Sequence, residues 1–380
     1  MKLCAVVCEY NPFHNGHRYQ LETARAELGS DAVVGIMSGN FVQRGDAAIF
    51  PKELRARAAL SGGMDLVLEL PAVLTLQSAE RYARNAVMTL EALGCVDTLF
   101  FGAECPDTEI LLRIADVLSQ EDGPFRHQLR AGLGAGLSFA AARAAAVKSV
   151  IGPASAEILS QPNNILAVEY CKALLLLKSQ IRPHAIERRG AGHDAAAPSG
   201  GFASATAVRE RLLAGQDAAP YLPAESREAF GNATPFSVTA IEKALIANLC
   251  LMPLEELRQT ADVSEGLEHA LKRAAFTAGT LAEVIGAVKS KRYAYSRLRR
   301  IVLNAYLGIT QADTQRRPSY IRVLDFNDRG RQVLNLARKT AVLPLAKNGR
   351  QIKDSPEALE LWQRELALDR IYHLFAPASR

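Results

Sequence analysis

The chain has 380 residues, 49% hydrophobic and 22% charged, with a formal net charge of +5. That is the balance of a soluble protein with length for two or three domains, each with its own core. No apolar run is long enough to span a bilayer and no signal peptide opens the chain, so a cytoplasmic protein is expected. The six cysteines lie singly and form no CxxC pair, which speaks against a zinc site or a disulfide framework.

The amino-terminal half alternates. "KLCAVV" reads as a buried strand. The loop "CEYNPFHNGH" follows, and then "RYQLETARAELG", whose apolar residues recur at helical spacing and which stops on Gly29. Asp31–Gly39 is a second strand. Pro51–Gly63 is a helix, with proline at its start and glycine at its end. Met64–Pro71 is a strand, Ser78–Gly94 a helix and Val96–Glu104 another strand. This β-α-β-α-β-α-β order, with near-continuous apolar strands, predicts a parallel sheet covered on both faces. Helices are expected at Phe139–Gly152 and Asn163–Lys178, a strand at Arg182–Gly190, and a helix at Ser204–Gly215 opened by a serine cap. Ala195–Ala203 is the most loop-like stretch.

Beyond "GNATPFS" (Gly231–Ser237) the patterns are mostly helical, with a short strand candidate at Ser319–Asn327 and a closing amphipathic helix. The division is therefore placed between 1–232 and 233–380. Charge divides there too. Met1–Phe230 holds 22 Lys+Arg against 25 Asp+Glu, and Gly231–Arg380 holds 23 against 15. A basic carboxyl-terminal part suggests a polyanion partner. Its densest basic run is "KSKRYAYSRLRR", with Lys289, Lys291, Arg292, Arg297, Arg299 and Arg300 around two tyrosines. Such side chains bind phosphates, and tyrosines stack on unpaired bases. Part of the run must still be a helix face turned to the core.

His14 and His17 bracket Asn-Gly on the first strand–loop–helix junction. In open α/β sheets that edge binds ligands, and a helix start there offers free N–H groups and a positive dipole to an anion. The two histidines can donate to phosphate oxygens, and Gly16 leaves room for a base or ribose. Zinc is disfavoured, because the H-E-x-x-H pattern would need Glu where Asn15 stands.

"HNGH" resembles the HIGH motif of the nucleotidyltransferase superfamily. Together with "MSGNFVQRGD", "MDLVLELP", "LFFGAE", "QPNNILAVEYCKAL" and "KRYAYSRLRR", it makes nearly the whole chain similar to the bacterial tRNA(Met) cytidine acetate ligase family. The resemblance implies a Rossmann-like HIGH-type α/β domain followed by a mostly helical, basic tRNA-binding domain. It implies an enzyme that turns ATP and acetate into acetyl-adenylate and passes the acetyl group to N4 of the wobble cytidine of elongator tRNA-Met. ATP is then a substrate, accompanied by magnesium. No tightly bound cofactor is expected and no metal ligand is assigned.

Carried over residue by residue, the ATP loop covers Val7, Cys8, Glu9, Tyr10, Asn11, Pro12, Phe13, His14, Asn15, Gly16, His17, Arg18, Tyr19 and Gln20. Gly102, Asn163 and Arg188 or its neighbour Arg189 complete it. Read without the family, Gly102 serves equally as a turn glycine, Asn163 can also be a helix cap, and a solvated surface arginine is the favoured reading of Arg188. "SATAVR" resembles the superfamily's phosphate-holding signature, with Ser204, Thr206 and Arg209 as donors. An ordinary helix cap accounts for it equally well. His14, His17 and Arg44 are the expected catalytic residues, Arg44 reaching acetate or RNA from a glycine-flanked loop. Two alternatives stand beside this reading: a nucleotidyltransferase that makes a dinucleotide cofactor, and a non-catalytic RNA- or nucleotide-binding protein.

Overall fold

A computed structural model describes residues 1–120, 123–137, 139–188, 201–264, 266–290 and 293–376. Its centre is a sheet built from β1 (Leu3–Cys8), β2 (Ala32–Ser38), β5 (Leu66–Leu70), β6 (Thr98–Ala103), β7 (Arg182–Glu187), β8 (Ile321–Phe326) and β9 (Leu345–Ala346). The two-residue strands β3 (Phe41–Val42) and β4 (Asp46–Ala47) form a separate hairpin. The sheet order is β7-β6-β1-β2-β5-β8-β9. β7, β6, β1, β2 and β5 are mutually parallel, and β8 runs antiparallel to β5.

Both faces of the sheet are covered, which is why its strands read as unbroken apolar runs. Along β1, Leu3 and Ala5 enter one core, and Cys4, Val6 and Cys8 the other. On the second face lie the helices Asn15–Leu28 and Lys52–Ser61, through residues such as Leu21, Ala24, Ala56 and Ala59. On the first lie Ala79–Leu93 and Pro162–Leu176. β1 leads to β2 on one side, and β6 then joins β1 on the other. The chain thus reverses between β1 and β6, and the crevice at their carboxyl ends is where such a sheet binds ligands.

The expected α/β fold is present, with two additions. The hairpin Phe41–Ala47 was not expected. The sheet also takes strands from both sides of the expected 232/233 division, since β8 and β9 follow the helical segment. The basic region is therefore not a body set apart. The Lys52 ammonium binds Glu69 of β5 at 2.7 Å and Asp369 of the closing helix Pro356–Phe375 at 2.5 Å. The long helical patterns are also broken: Met252-Pro253 separates Glu242–Leu251 from Leu254–Gln259, because proline cannot supply an interior N–H. Among the described residues no helix is long and apolar enough to cross a membrane.

Candidate active site

The helix Asn15–Leu28 begins where β1's loop presents His14 as its cap. His14 Nδ1 accepts the Gly16 N–H at 3.0 Å, and His17 Nδ1 accepts the His14 N–H at 3.3 Å. The two rings stack with centroids 3.7 Å apart. An acceptor Nδ1 fixes each neutral ring with its proton on Nε2. Burial, reinforced by the fields of Arg188 and Arg209, pushes the His14 pKa down to about 3. Burial, then His14 and Arg188, hold His17 well below its ordinary value. Both are neutral donors at pH 7. His14 Nε2 is buried and has no partner among the described residues, whereas His17 already bonds the Pro12 backbone.

The pair lines a cavity of about 420 Å³ at the β1–β6 crevice, joined by Val7, Cys8, Glu9, Tyr10, Asn11 and Gln20 from the first loop. Gly102, Asn163, Arg188, Ser204, Thr206, Arg209 and Arg44 line the same cavity. Arg188 donates to Asn163 Oδ1 at 3.1 Å, and Asn163 Nδ2 donates to Glu104 at 2.5 Å. Glu104 also accepts the Asn164 N–H at 2.8 Å, so its carboxylate caps the helix Pro162–Leu176. Gly102 makes room for this chain of contacts, since a Cβ there would lie 3.0 Å from Arg188 Cγ. Ser204 caps the helix Ala205–Leu213 through the Ala207 N–H at 3.1 Å, and Arg209 bridges the Asn11 carbonyl at 2.8 Å and Thr206 Oγ1 at 3.0 Å. Burial lowers the pKa of both arginines. Glu104 opposes the shift at Arg188, Asp46 and Glu9 oppose it at Arg209, and Arg44 adds to it at both. The site thus holds neutral donors and crowded guanidinium charge, an arrangement suited to a polyanion.

Gly16 and Tyr19 line a smaller adjoining cleft with His17, Gln20, Gly102 and Arg188. Pro12, Phe13, Asn15 and Arg18, expected in the nucleotide loop, do not line the cavity. Phe13 is buried in the core against Tyr10. Asn15 donates to the Gly201 and Pro220 carbonyls at 2.9 and 3.0 Å. Arg18 faces outward to Glu22 and Glu225. Arg189 lies outside the described residues.

The basic run divides. Lys291 and Arg292 lie outside the described residues, and Lys289 is exposed at the end of the helix Leu281–Val288. Arg300 is 6% exposed and pairs with Asp262 at 3.0 Å. Arg297 donates to the Asp262 carbonyl at 2.9 Å and to Ser264 at 2.7 Å, and Arg299 pairs with Asp46 at 2.5 Å. These three arginines join elements of the fold. They also fasten the Arg44 hairpin: Gly45 has φ +78°, and a Cβ on it would meet the Arg300 amide at 2.4 Å.

Several neighbours escaped the sequence reading. Gln43, Tyr82, Phe101, Leu166 and Tyr170 complete the cavity wall. Arg55, fully buried, donates to the carbonyls of Glu9, Ser38, Gly39 and Phe50 and so clasps the ends of β1 and β2. Glu104 had one local signal, a carboxylate just past a strand-end glycine. Among the described residues, the only group of three metal-ligand-type side chains in mutual reach is Glu69, Glu365 and Asp369. It lies outside the cavity, and the Lys52 ammonium already bridges two of its members.

The doubly covered parallel sheet, the stacked HxxH pair at its first carboxyl edge and the arginine-rich crevice define a nucleotidyltransferase of the HIGH type. The HIGH Nucleotidyl Transferase family model matches residues 1–380. A tRNA(Met) cytidine acetate ligase of Thermoanaerobacter sp. is 36% identical over 98% of this chain and 95% of its own length. One from Acetivibrio thermocellus is 37% identical over 91% and 88%. The chain belongs to the tRNA(Met) cytidine acetate ligase family. The apo crystal structure of Thermotoga maritima TmcAL superposes with a TM-score of 0.94 at 33% identity, covering 100% of this chain and 96% of that one. A second crystal form of that protein, bound with alpha-thio ATP, superposes at 0.91.

Proposed function

We propose that this protein activates acetate with ATP and transfers the acetyl group to N4 of the wobble cytidine of elongator tRNA-Met. The observation that carries the chemistry is the neutral, buried His14 with its Nε2–H open beside Arg188 and Arg209. The substrates come from what the relatives are called and from the ATP analogue bound to the Thermotoga protein. An acetate oxygen attacks the α-phosphorus, the α–β bridging P–O bond breaks, and pyrophosphate departs with the bond's electrons. His14 and the helix start donate to the α-phosphoryl oxygens as charge builds there. Arg209 and the Ser204 and Thr206 hydroxyls hold the departing β- and γ-phosphates, which magnesium accompanies. The cytidine amine then attacks the acetyl carbon, AMP leaves, and the amine gives up a proton.

The adjoining cleft with Gly16 and Gly102 suits the nucleoside. The wall of Gln43, Arg44, Tyr82, Phe101 and Tyr170 then remains for acetate and the incoming base. Residues 1–232, with the returning strands and the helix Asp328–Thr340 between them, form the activating part, the rest of the basic segment after 233 serves the tRNA, and the reaction takes place in the cytoplasm. Acetate-dependent exchange of pyrophosphate into ATP, without RNA, tests the first half. Exchange requiring acetate supports the reading, and exchange indifferent to acetate contradicts it.

A further inference from the structure

We infer that a groove along the outer faces of helices Ala79–Leu93 and Pro162–Leu176 binds the single-stranded RNA that flanks the acceptor cytidine. This rests on the reading above and adds the path of the RNA to it. The groove encloses about 440 Å³ and begins at the rim of the active-site cavity. Ala79 and Tyr82 line the cavity, while Glu80, Arg81 and Arg84 line the groove; Leu166 and Tyr170 line the cavity, while Glu169, Lys172 and Ala173 line the groove. From Glu80 to Met88 the groove follows its helix for about 12 Å at 1.5 Å per residue. A strand whose base enters the cavity therefore finds a channel continuing from the rim.

The charges suit that occupant. Arg81, Arg84, Lys172, Arg316 and Arg317 face two carboxylates, Glu80 and Glu169. Both carboxylates are already matched: Lys172 lies 2.5 Å from Glu80 and 3.6 Å from Glu169, and Arg143 lies 2.9 Å from Glu169. Arg316 is held by Asp313 and Glu360. The side chains of Arg81, Arg84 and Arg317 make no hydrogen bond or ion pair among the described residues, Arg81 lending only its field to Glu80. Arg81 and Arg84 share one helix face at i, i+3 spacing. Three uncommitted guanidinium groups around an apolar floor of Met88, Ala173 and Leu177 suit phosphates with sugar and base faces between them. The basic run near residue 300 is less suited, because Arg297, Arg299 and Arg300 are engaged within the fold.

The test is the R81A/R84A/R317A protein, full length, with tRNA affinity measured against salt. Three lost phosphate contacts at about 0.7 each should lower the log–log slope by about two. The affinity lost between about 50 and 200 mM salt should then shrink about twentyfold. Acetate-dependent pyrophosphate exchange should be unchanged, which shows an intact fold. As a control for net charge, R331A/R338A/K339A removes three exposed cations from the helix Asp328–Thr340, which lies at the amino ends of the strands. It should leave the slope as it was. An unchanged slope in the first variant, or an equal fall in both, overturns the inference. So does displacement of tRNA by polyglutamate as readily as by an unstructured oligonucleotide, which would assign the groove to an acidic protein. Loss of acetate dependence in the unaltered protein would instead overturn the proposed function, and the binding result would stand apart from it.

Discussion

Replacing His14 with Asn isolates the donor that the account relies on. An Asn oxygen can still accept the Gly16 N–H, so the helix keeps its cap and loses at most about 1 kcal/mol. What disappears is a buried Nε2–H that has no partner among the described residues. Removing one preorganised donor of this kind costs about 10²–10³ in rate, or about 2.7–4 kcal/mol. Acetate-dependent pyrophosphate exchange should fall by that factor with the KM for ATP nearly unchanged. Stability should change in the opposite sense in acid. His14 titrates at about 3 in the fold against an ordinary 6.5. Between those values the unfolded chain binds the extra proton, so this residue weakens the fold progressively as pH falls below 6.5. At pH 5 the loss is about 2 kcal/mol. With 380 residues, an unfolding entropy of about 0.8 kcal/mol/K makes this about 2–3 °C in Tm. H14N should therefore lose about that much less than the natural protein between pH 7 and pH 5 in scanning calorimetry. Exchange within threefold of normal, or an identical acid profile, would refute the reasoning.

Lys52→Met takes the ammonium from the buried Glu69 and the half-buried Asp369, which Arg322 also contacts, at a cost of about 3–5 kcal/mol. Calorimetry should show Tm lower by about 4–6 °C, and a drop under about 1 °C would contradict this. Gly102→Leu drives a side chain into the path of Arg188. The KM for ATP should rise about tenfold or more, about 1.4 kcal/mol, with Tm little altered; an unchanged KM would remove the strand end from the nucleotide site. Arg300→Ala breaks the pairing with Asp262 and should lower Tm while leaving the salt slope of tRNA binding intact. A slope reduced by about 0.7 or more would return Arg300 to the RNA surface.

The central part of the site was legible because its signals are local. A valine-rich run, a turn and a helix with a glycine stop report a strand's carboxyl edge; His14, Gly102 and Arg188 sit at such edges, and Asn163 and Arg209 reach the same cavity from helices. What escaped depends on partners far away in sequence. β8 pairs with β5 across some 250 residues, and nothing near "IRVLDF" announces its neighbour. Arg297, Arg299 and Arg300 read as a basic surface until Asp262, Ser264 and Asp46 are brought against them. Lys52 looks like an ordinary first-turn lysine and is in fact buried among carboxylates. Asn15 and Arg18 lie inside the motif's span, but helical periodicity turns them away from the crevice.

The most direct test of the account is mass spectrometry of nucleosides from elongator tRNA-Met incubated with the protein, ATP and labelled acetate. N4-acetylcytidine carrying the label at the wobble position, formed only when ATP is present, is the predicted result. Labelled nucleoside formed from acetyl-coenzyme A without ATP, or no acetylcytidine with ATP and acetate together, would contradict it.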